Sequence, residues 1–264
     1  MTSTTCPPRT LFLPPQPTAT GRALAAAAER RGLGCEVLPG RWVPDAVRGA
    51  PGPALFAGPG FADVVAVELG LGLLEAPVDW LAGLPRELTG RHVACVPLAA
   101  ARALRRPAFV KPPNDKSFPA RIYPDGSRLP GPDALDDTTP VLVSDVVAFS
   151  AEYRLFLLDG EVRTGSRYGV RGGRDLFPLD ADPRGGEVRE FAARVVAAGP
   201  RLPSAIVVDV GRLVDGGWAV IEANAAWASG HYAADPDAAL EVLLRAARPR
   251  GNVTAADEPF LRPQ

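Results

Sequence analysis

The chain has 264 residues, 47% of them hydrophobic and 22% charged, with a formal net charge of −1. That length buries a sizeable core, and the balance leaves no broad basic field for nucleic acid or an anionic membrane surface. Cys6, Cys35 and Cys95 show no CxxC or CxxH spacing and no window reaches the ~18 apolar residues of a membrane helix, so a cytoplasmic protein without a cysteine zinc site or disulfide framework is expected.

TLFLP (10–14) reads as a short strand, and Thr18 to Arg31 as a helix stopped by Gly32 or Gly34. CEVLP, ALFAG and HVACVPL (92–98) read as further strands, with apolar helical candidates at Ala62 to Leu74 and Val78 to Leu88. This alternation predicts a small, mostly parallel sheet with helices on its faces. The first loop, PPQPTATG, lacks GxGxxG, so a Rossmann dinucleotide site is not expected.

From about residue 107 the pattern changes. AFVKPP is a strand running into NDKSFPARIY, a loop with basic and aromatic residues. VLVSDVVAF, AEYRLFLLDG and EVRTGSRYGV are strands, the last two joined at Asp159-Gly160. A long loop leads to the helix EVREFAARVVAAG and then to a hairpin, AIVVDVGRLVDGGWAVIEANAAW (205–227). A closing helix is capped by Asp235, with Pro236 in its first position. Strand runs with separate helices predict α+β here, in contrast to the α/β beginning.

Two acids interrupt the apolar runs of the 205–227 hairpin. A turn at Asp215-Gly216 sets Val214 opposite Gly217, hence Asp209 opposite Glu222, with Asn224 one pleat further on the same face. Directly opposed residues have Cβ atoms about 4.5–5.5 Å apart, and like charges there repel. Together with a carboxamide, however, the two carboxylates form a hard-oxygen set suited to Mg²⁺ shared with phosphate oxygens. The plainer alternative is a pair of solvated acids on an exposed face, or a pair of which one is protonated. The same reasoning at Asp159-Gly160 sets Glu152 opposite Arg167, with Arg154 and Arg163 on that face. Tyr153, Leu155, Leu157, Val162 and Tyr168 then take the other. The arginine face is either an ion-pair ladder or a phosphate-binding surface.

In the order FVKP (109–112), VLVSDVVAFSAEYRLFLLDG (141–160), VVD (207–209) and IEAN (221–224), the chain resembles the ATP-grasp superfamily over about residues 89–247. It is most similar to ligases built like D-alanine–D-alanine ligase, or to a short subgroup of the superfamily. The resemblance implies an N-terminal βαβ, pre-ATP-grasp-like domain (1–88) and a two-lobed ATP-grasp domain with antiparallel sheets (89–264). Its lobes are about 89–140 and 141–248, with a tail at 249–264.

ATP and Mg²⁺, or Mn²⁺, are the implied cofactors, with Asp209, Glu222 and Asn224 as metal ligands. Lys111 would reach the phosphates, and Lys116 and Arg121 would lie on a loop closing over them. Asp145 and the backbone of Val146 and Ala148 would meet adenine, Glu152 the ribose, and Arg154 the nucleotide. Arg167 and Lys111 would supply catalytic charge. Trp227, Ser229, Gly230 and His231 would face the substrates, with Trp227 either a core residue or a substrate platform and His231 either a general base or a structural residue.

Two departures stand out. The family's arginine two residues before the metal aspartate is Val207 here, and its second phosphate lysine has no match after Tyr153. Arg167, Arg171 or Arg174 would have to substitute for that lysine. The implied activity joins a small-molecule or peptide carboxylate to an amine through an acyl phosphate. No nucleic-acid or membrane partner is implied, and a homodimer is the family expectation. A kinase on the same scaffold, favoured by the missing arginine, and a non-catalytic nucleotide-binding module are the alternatives.

Overall fold

The computed structural model describes residues 9–263; Cys6 lies outside them, and Cys35 and Cys95 are free thiols. In chain order the first elements are β1 (Thr10–Leu13), α1 (Ala19–Arg30), β2 (Gly34–Val37), α2 (Asp45–Arg48), β3 (Pro53–Leu55), α3 (Pro59–Glu68), β4 (Leu71–Leu73) and α4 (Arg86–Thr89). Next come β5 (Val93–Pro97), α5 (Leu98–Arg102), β6 (Ala108–Lys111), β7 (Arg121–Tyr123) and β8 (Pro140–Ser144). The last are β9 (Phe149–Leu158), β10 (Glu161–Val170), β11 (Gly173–Pro178), α6 (Gly185–Ala198), β12 (Ala205–Leu213), β13 (Trp218–Asn224), α7 (Pro236–Ala246) and β14 (Ala247–Pro249).

The first sheet is parallel, in the order β2-β1-β3. β1 is central and covered on both faces, which is why Leu11, Phe12 and Leu13 follow one another without a polar break. Thr18 caps α1 by accepting from the Gly21 amide at 3.1 Å, and Leu24, Ala27 and Ala28 turn inward. The predicted fourth strand does not join this sheet. β5 instead pairs antiparallel with β8, from Val93 against Ser144 to Pro97 against Pro140, in a sheet ordered β5-β8-β6-β7.

Both apolar helical candidates fall short for local reasons. α3 stops at Glu68 because Gly70 takes φ +62, and 71–73 then extends to pair with β14. Residues 78–84 are turns between Pro77 and Pro85, and only Arg86–Thr89 closes a helical turn.

α7 returns to the beginning of the chain. Leu240, Leu243 and Ala246 share one core with Phe12, Leu55 and Val65, joined by Phe156 and Val207 from the large antiparallel sheet. Residues on both sides of the expected boundary at 88/89 therefore lie in a single core. The five-stranded sheet, β11-β10-β9-β12-β13, buries its other face against α6. There Tyr153, Leu155 and Leu157 meet Val188, Phe191 and Val195, each worth about 1.5–3 kcal/mol when fully covered for aliphatic and phenyl groups.

The two hairpins depart from their predicted registers in different ways. In β12–β13 the Leu213 amide bonds the Gly217 carbonyl at 2.7 Å, with Gly216 at φ +101, so pairing near the turn is one residue off. A bulge at Ile221 restores it: Val210 faces Val220, but Asp209 faces Glu222 and Val207 faces Asn224. The two offsets cancel. In β9–β10 the expected pairing, Val162 with Leu157, slips twice, between Val162 and Thr164 and between Arg167 and Gly169. Glu152 therefore faces Gly169, not Arg167. Each slip turns side chains to the opposite face, so Tyr168 stands on the Arg154 side and Arg167 on the α6 side.

Candidate active site

The site lies where β6 runs out against β13. Lys111 ends β6 just before Pro112 and Pro113, so its side chain leaves a strand end. Asp209 sits within β12, and Glu222 and Asn224 within β13. Val207, Val208, Val210 and Val220 around them are all at most 1% exposed, which holds the acid pair in place.

Among the protein groups, each acid has a cation. The Lys111 ammonium pairs with Glu222 Oε2. The Arg154 guanidinium forks onto Asp209, Nε to Oδ1 at 2.9 Å and Nη2 to Oδ2 at 2.7 Å. Asn224 Nδ2 donates to Glu222 Oε1 at 2.8 Å and lies 3.4 Å from Asp209 Oδ2. Two carboxylates that would repel across a bare ladder are thus neutralised.

Arg154 also donates through Nη1 to the Gly230 carbonyl at 3.4 Å. Its guanidinium lies 5.0 Å from the Tyr232 ring centroid and 5.8 Å from that of Tyr168, and these rings stack 5.1 Å apart. Tyr232 takes φ +55, a backbone state of order 1–3 kcal/mol for a non-glycine, which the surrounding contacts must maintain.

Burial pushes the Asp209 carboxyl up to about 6, against the pull of Arg154, and Glu222 adds to the rise. Burial acts upward on Glu222 as well, but Lys111 and Asn224 hold its carboxyl below the usual range. Burial opposes the charge on Arg154, yet Asp209 keeps that guanidinium protonated well beyond the ordinary arginine value.

Two cavities share this polar wall. One, of about 560 Å³, is lined by Phe109, Ile122, Val146, Phe149 and Glu152 among others. The second, of about 720 Å³, lies under the 112–120 loop and against Arg154, Asn224, Ser229, Gly230 and Pro59. Lys111 and Glu222 line both.

The other predicted residues fall into place unevenly. Glu152 faces the smaller cavity, and no side chain among the described residues pairs with it. The Asp145 carboxylate accepts from the His92 amide at 3.1 Å and pairs with Arg106 at 3.3 Å, tying β8 to β5. Val146 lines the cavity, whereas the Ala148 carbonyl accepts from the Val214 amide at 3.1 Å. Lys116 lies exposed on the loop bordering the larger cavity, and Arg121 lies over the Tyr123 ring on β7.

Contrary to expectation, Arg167 pairs with Asp182 and Asp175 on the α6 side of the sheet, because the first slip in β10, between Val162 and Thr164, sets it opposite Tyr153. Arg171 and Arg174 are exposed around the β10–β11 turn, and Arg163 pairs with Glu241.

On the substrate side, Ser229 and Gly230 border the larger cavity, with the Ser229 hydroxyl bonded to the Ala225 carbonyl at 2.8 Å. Trp227 is fully buried and donates its indole N–H to the Leu74 carbonyl at 2.9 Å, so it backs the wall from within the core. His231 points instead to Thr20 Oγ1, 3.1 Å from Nδ1, and burial lowers its pKa. Tyr232, Phe149 and Arg91 line the cavities without having been singled out in sequence, and Tyr168, expected on the packed face with Tyr153, lines the smaller one beside Arg154. Only Tyr232, next to His231, carried a local signal.

A divalent cation fits the donor set. Among the described residues no three His, Cys, Asp or Glu side chains cluster as a metal cage. Two carboxylates and one carboxamide on a common face would meet only part of an octahedral shell. Magnesium commonly completes such a shell with phosphate oxygens and water.

Residues 88–242, more than half of the chain, match the family described as ATP-grasp domain, R-2-K clade family 2. Among solved structures the chain is similar to the D-cycloserine synthetase DcsG, at 19% identity over 89% of this chain and 98% of that one, TM-score 0.48. It is also similar to a RimK domain ATP-grasp protein from Sphaerobacter thermophilus DSM 20745, at 16% identity over 89% and 99%, TM-score 0.49. A third likeness is to an L-amino acid ligase from Bacillus licheniformis, at 17% identity over 84% and 68%, TM-score 0.46. No curated protein matches the sequence.

Proposed function

The chain belongs to this ATP-grasp domain family, and on that premise we propose that it is an ATP- and Mg²⁺-dependent carboxylate–amine ligase. The observation that carries this reading is the shared wall: Lys111 and Glu222 line both cavities, with Asp209, Asn224 and Arg154 adjoining. A nucleotide in one cavity and a carboxylate in the other then meet at a wall the two have in common.

ATP takes the smaller cavity, its base against the backbone at Val146 and its ribose hydroxyls on Glu152. Lys111 exchanges Glu222 for the phosphates, to which an ammonium is a compact point charge. Asp209, Glu222 and Asn224 would hold Mg²⁺, which when bound would supply positive charge against that developing in phosphoryl transfer. A carboxylate oxygen of the donor attacks the γ-phosphorus and ADP leaves. The amine then attacks the acyl carbon, and phosphate departs to leave an amide.

Arg154 serves where the family's arginine is replaced by Val207. Its guanidinium is already beside Asp209 and the Gly230 carbonyl, aimed at the region where oxyanion charge develops. The larger cavity, about 720 Å³, has the size of ordinary small-molecule sites. Arg167, held on the other face by Asp182, takes no part.

Incubation with ATP, Mg²⁺ and a panel of amino acids and small acids should release phosphate. Hydroxylamine in place of the amine should yield a hydroxamate, and EDTA should abolish turnover. A stable phosphorylated product with ADP would make the protein a kinase, and an absence of multiple-turnover ATP consumption would make it a binding module.

A further inference from the structure

Arg91 is a buried charge in the smaller cavity to which the mechanism gives no work. Gly90 before it takes φ +62, and the Thr89 hydroxyl donates to the Arg91 carbonyl at 2.7 Å, fixing the approach to β5. Arg91 is 7% exposed. Its Nη1 donates to the Thr89 and Val220 carbonyls, both at 2.8 Å, and its Nη2 to the Ile221 carbonyl at 3.3 Å. The Phe149 ring lies 5.9 Å from the guanidinium.

Successive carbonyls of a regular strand point to opposite edges. Those of Val220 and Ile221 meet the same fork, and the extra residue of the bulge is what turns them to one side. β13 is the outer strand of its sheet, so no further strand is there to receive them.

This bulge decides which face Glu222 takes. Continued from Arg212 against Trp218 and Val210 against Val220, the pairing would bring Ile221 opposite Asp209. Glu222 would then turn to the α6 face, away from Asp209. We propose that Arg91 is a positioning residue whose guanidinium pins the β13 bulge, and thereby the register that sets Glu222 beside Asp209 for a divalent cation and nucleotide phosphate. The proposal deepens the ATP-site reading above and rests on it. A guanidinium is suited to the task because its rigid planar fork offers a separate nitrogen to each of the two carbonyls, where an ammonium offers one nitrogen on a flexible stem.

The test compares the full chain with Arg91→Gln and Arg91→Lys variants by three measurements. These are amide hydrogen exchange across residues 218–224 without ligand, ATP affinity in EDTA, and Mg²⁺ titration of the ATP complex. Exchange should quicken at the bulge, and Mg²⁺ affinity should fall about 10–100-fold, as when a partner that orients a metal ligand is lost. ATP affinity in EDTA should be little changed. Arg91→Lys should show the same pattern more weakly, and it stands in if Arg91→Gln does not fold.

Equal losses of ATP affinity with and without Mg²⁺ would assign Arg91 to the base instead. Unchanged exchange with unchanged Mg²⁺ affinity would also overturn the proposal. A folded wild-type chain that binds no nucleotide would refute the ATP-site reading. The ligand-free exchange comparison would still decide whether Arg91 pins the bulge.

Discussion

Replacing Arg154 by methionine keeps an apolar stem but removes the fork from Asp209. Asp209 is 1% exposed, so its charge would be left against Val207 and Val208. Removing one partner of a buried ion pair commonly costs about 3–5 kcal/mol, but this carboxylate has an exit, because it can take up a proton.

In the intact protein it titrates at about 6, against ~3.9 for an unperturbed aspartate. Between those values the folded chain holds a proton that the unfolded chain has released. Stability from this group therefore falls as pH rises to about 6 and is level above. In the variant the carboxyl is raised further, so the decline continues past pH 6 at about 1.4 kcal/mol per pH unit.

Below pH 6 the variant should lie about 1 kcal/mol under the wild type, from the lost Gly230 hydrogen bond. At pH 8 the gap should reach about 3–4 kcal/mol, two further pH units of that slope being added. Urea denaturation between about pH 5.5 and 8 measures it, and Arg154→Met with Asp209→Asn should show no such slope. A gap that stayed constant with pH would refute the claim that Arg154 holds Asp209 ionised.

Glu152→Gln should weaken ATP by about ten- to a hundredfold, a hydrogen bond to a charged group being worth about 1.5–3 kcal/mol. Calorimetry should find that the variant no longer distinguishes ATP from its 2′-deoxy form; retained discrimination would remove Glu152 from the ribose. In Gly211→Ala the new Cβ would lie 2.4 Å from Phe149 Cδ1 and 3.1 Å from the Ala151 carbonyl oxygen. Overpacking of this kind costs about 1–3 kcal/mol and should push Phe149 into the smaller cavity, so thermal unfolding and ATP affinity should fall together. Burial lowers the His231 pKa, so its contribution to stability is complete above the unfolded value of ~6.5 and is lost as pH falls through that value towards the folded one. His231→Gln should flatten the stability profile in that window, and an unchanged profile would contradict the shift.

Much of this protein was legible in the chain because the signals are local. The Asp235 cap of α7, the Asp159-Gly160 turn and the mixed apolar and acidic runs of β12 and β13 act over a few residues, where backbone preferences decide. The order of FVKP, VVD and IEAN pointed to the family that residues 88–242 match.

Register reasoning held only as far as the next irregularity. For Asp209 and Glu222 an offset at the turn and the bulge at Ile221 cancelled, whereas in β9–β10 the first slip carried Arg167 to the far face and the second, adding to it, set Glu152 opposite Gly169. The period of two along a strand makes each such slip a change of face, and no local residue pattern announced them. Tertiary structure alone decided that β5 leaves the parallel sheet for β8, and that Trp227 is a core residue. It likewise placed Arg154 on Asp209 and Arg91 on the bulge. These contacts join segments far apart in sequence, and the packing of whole sheets sets their energies, which no single stretch of chain encodes.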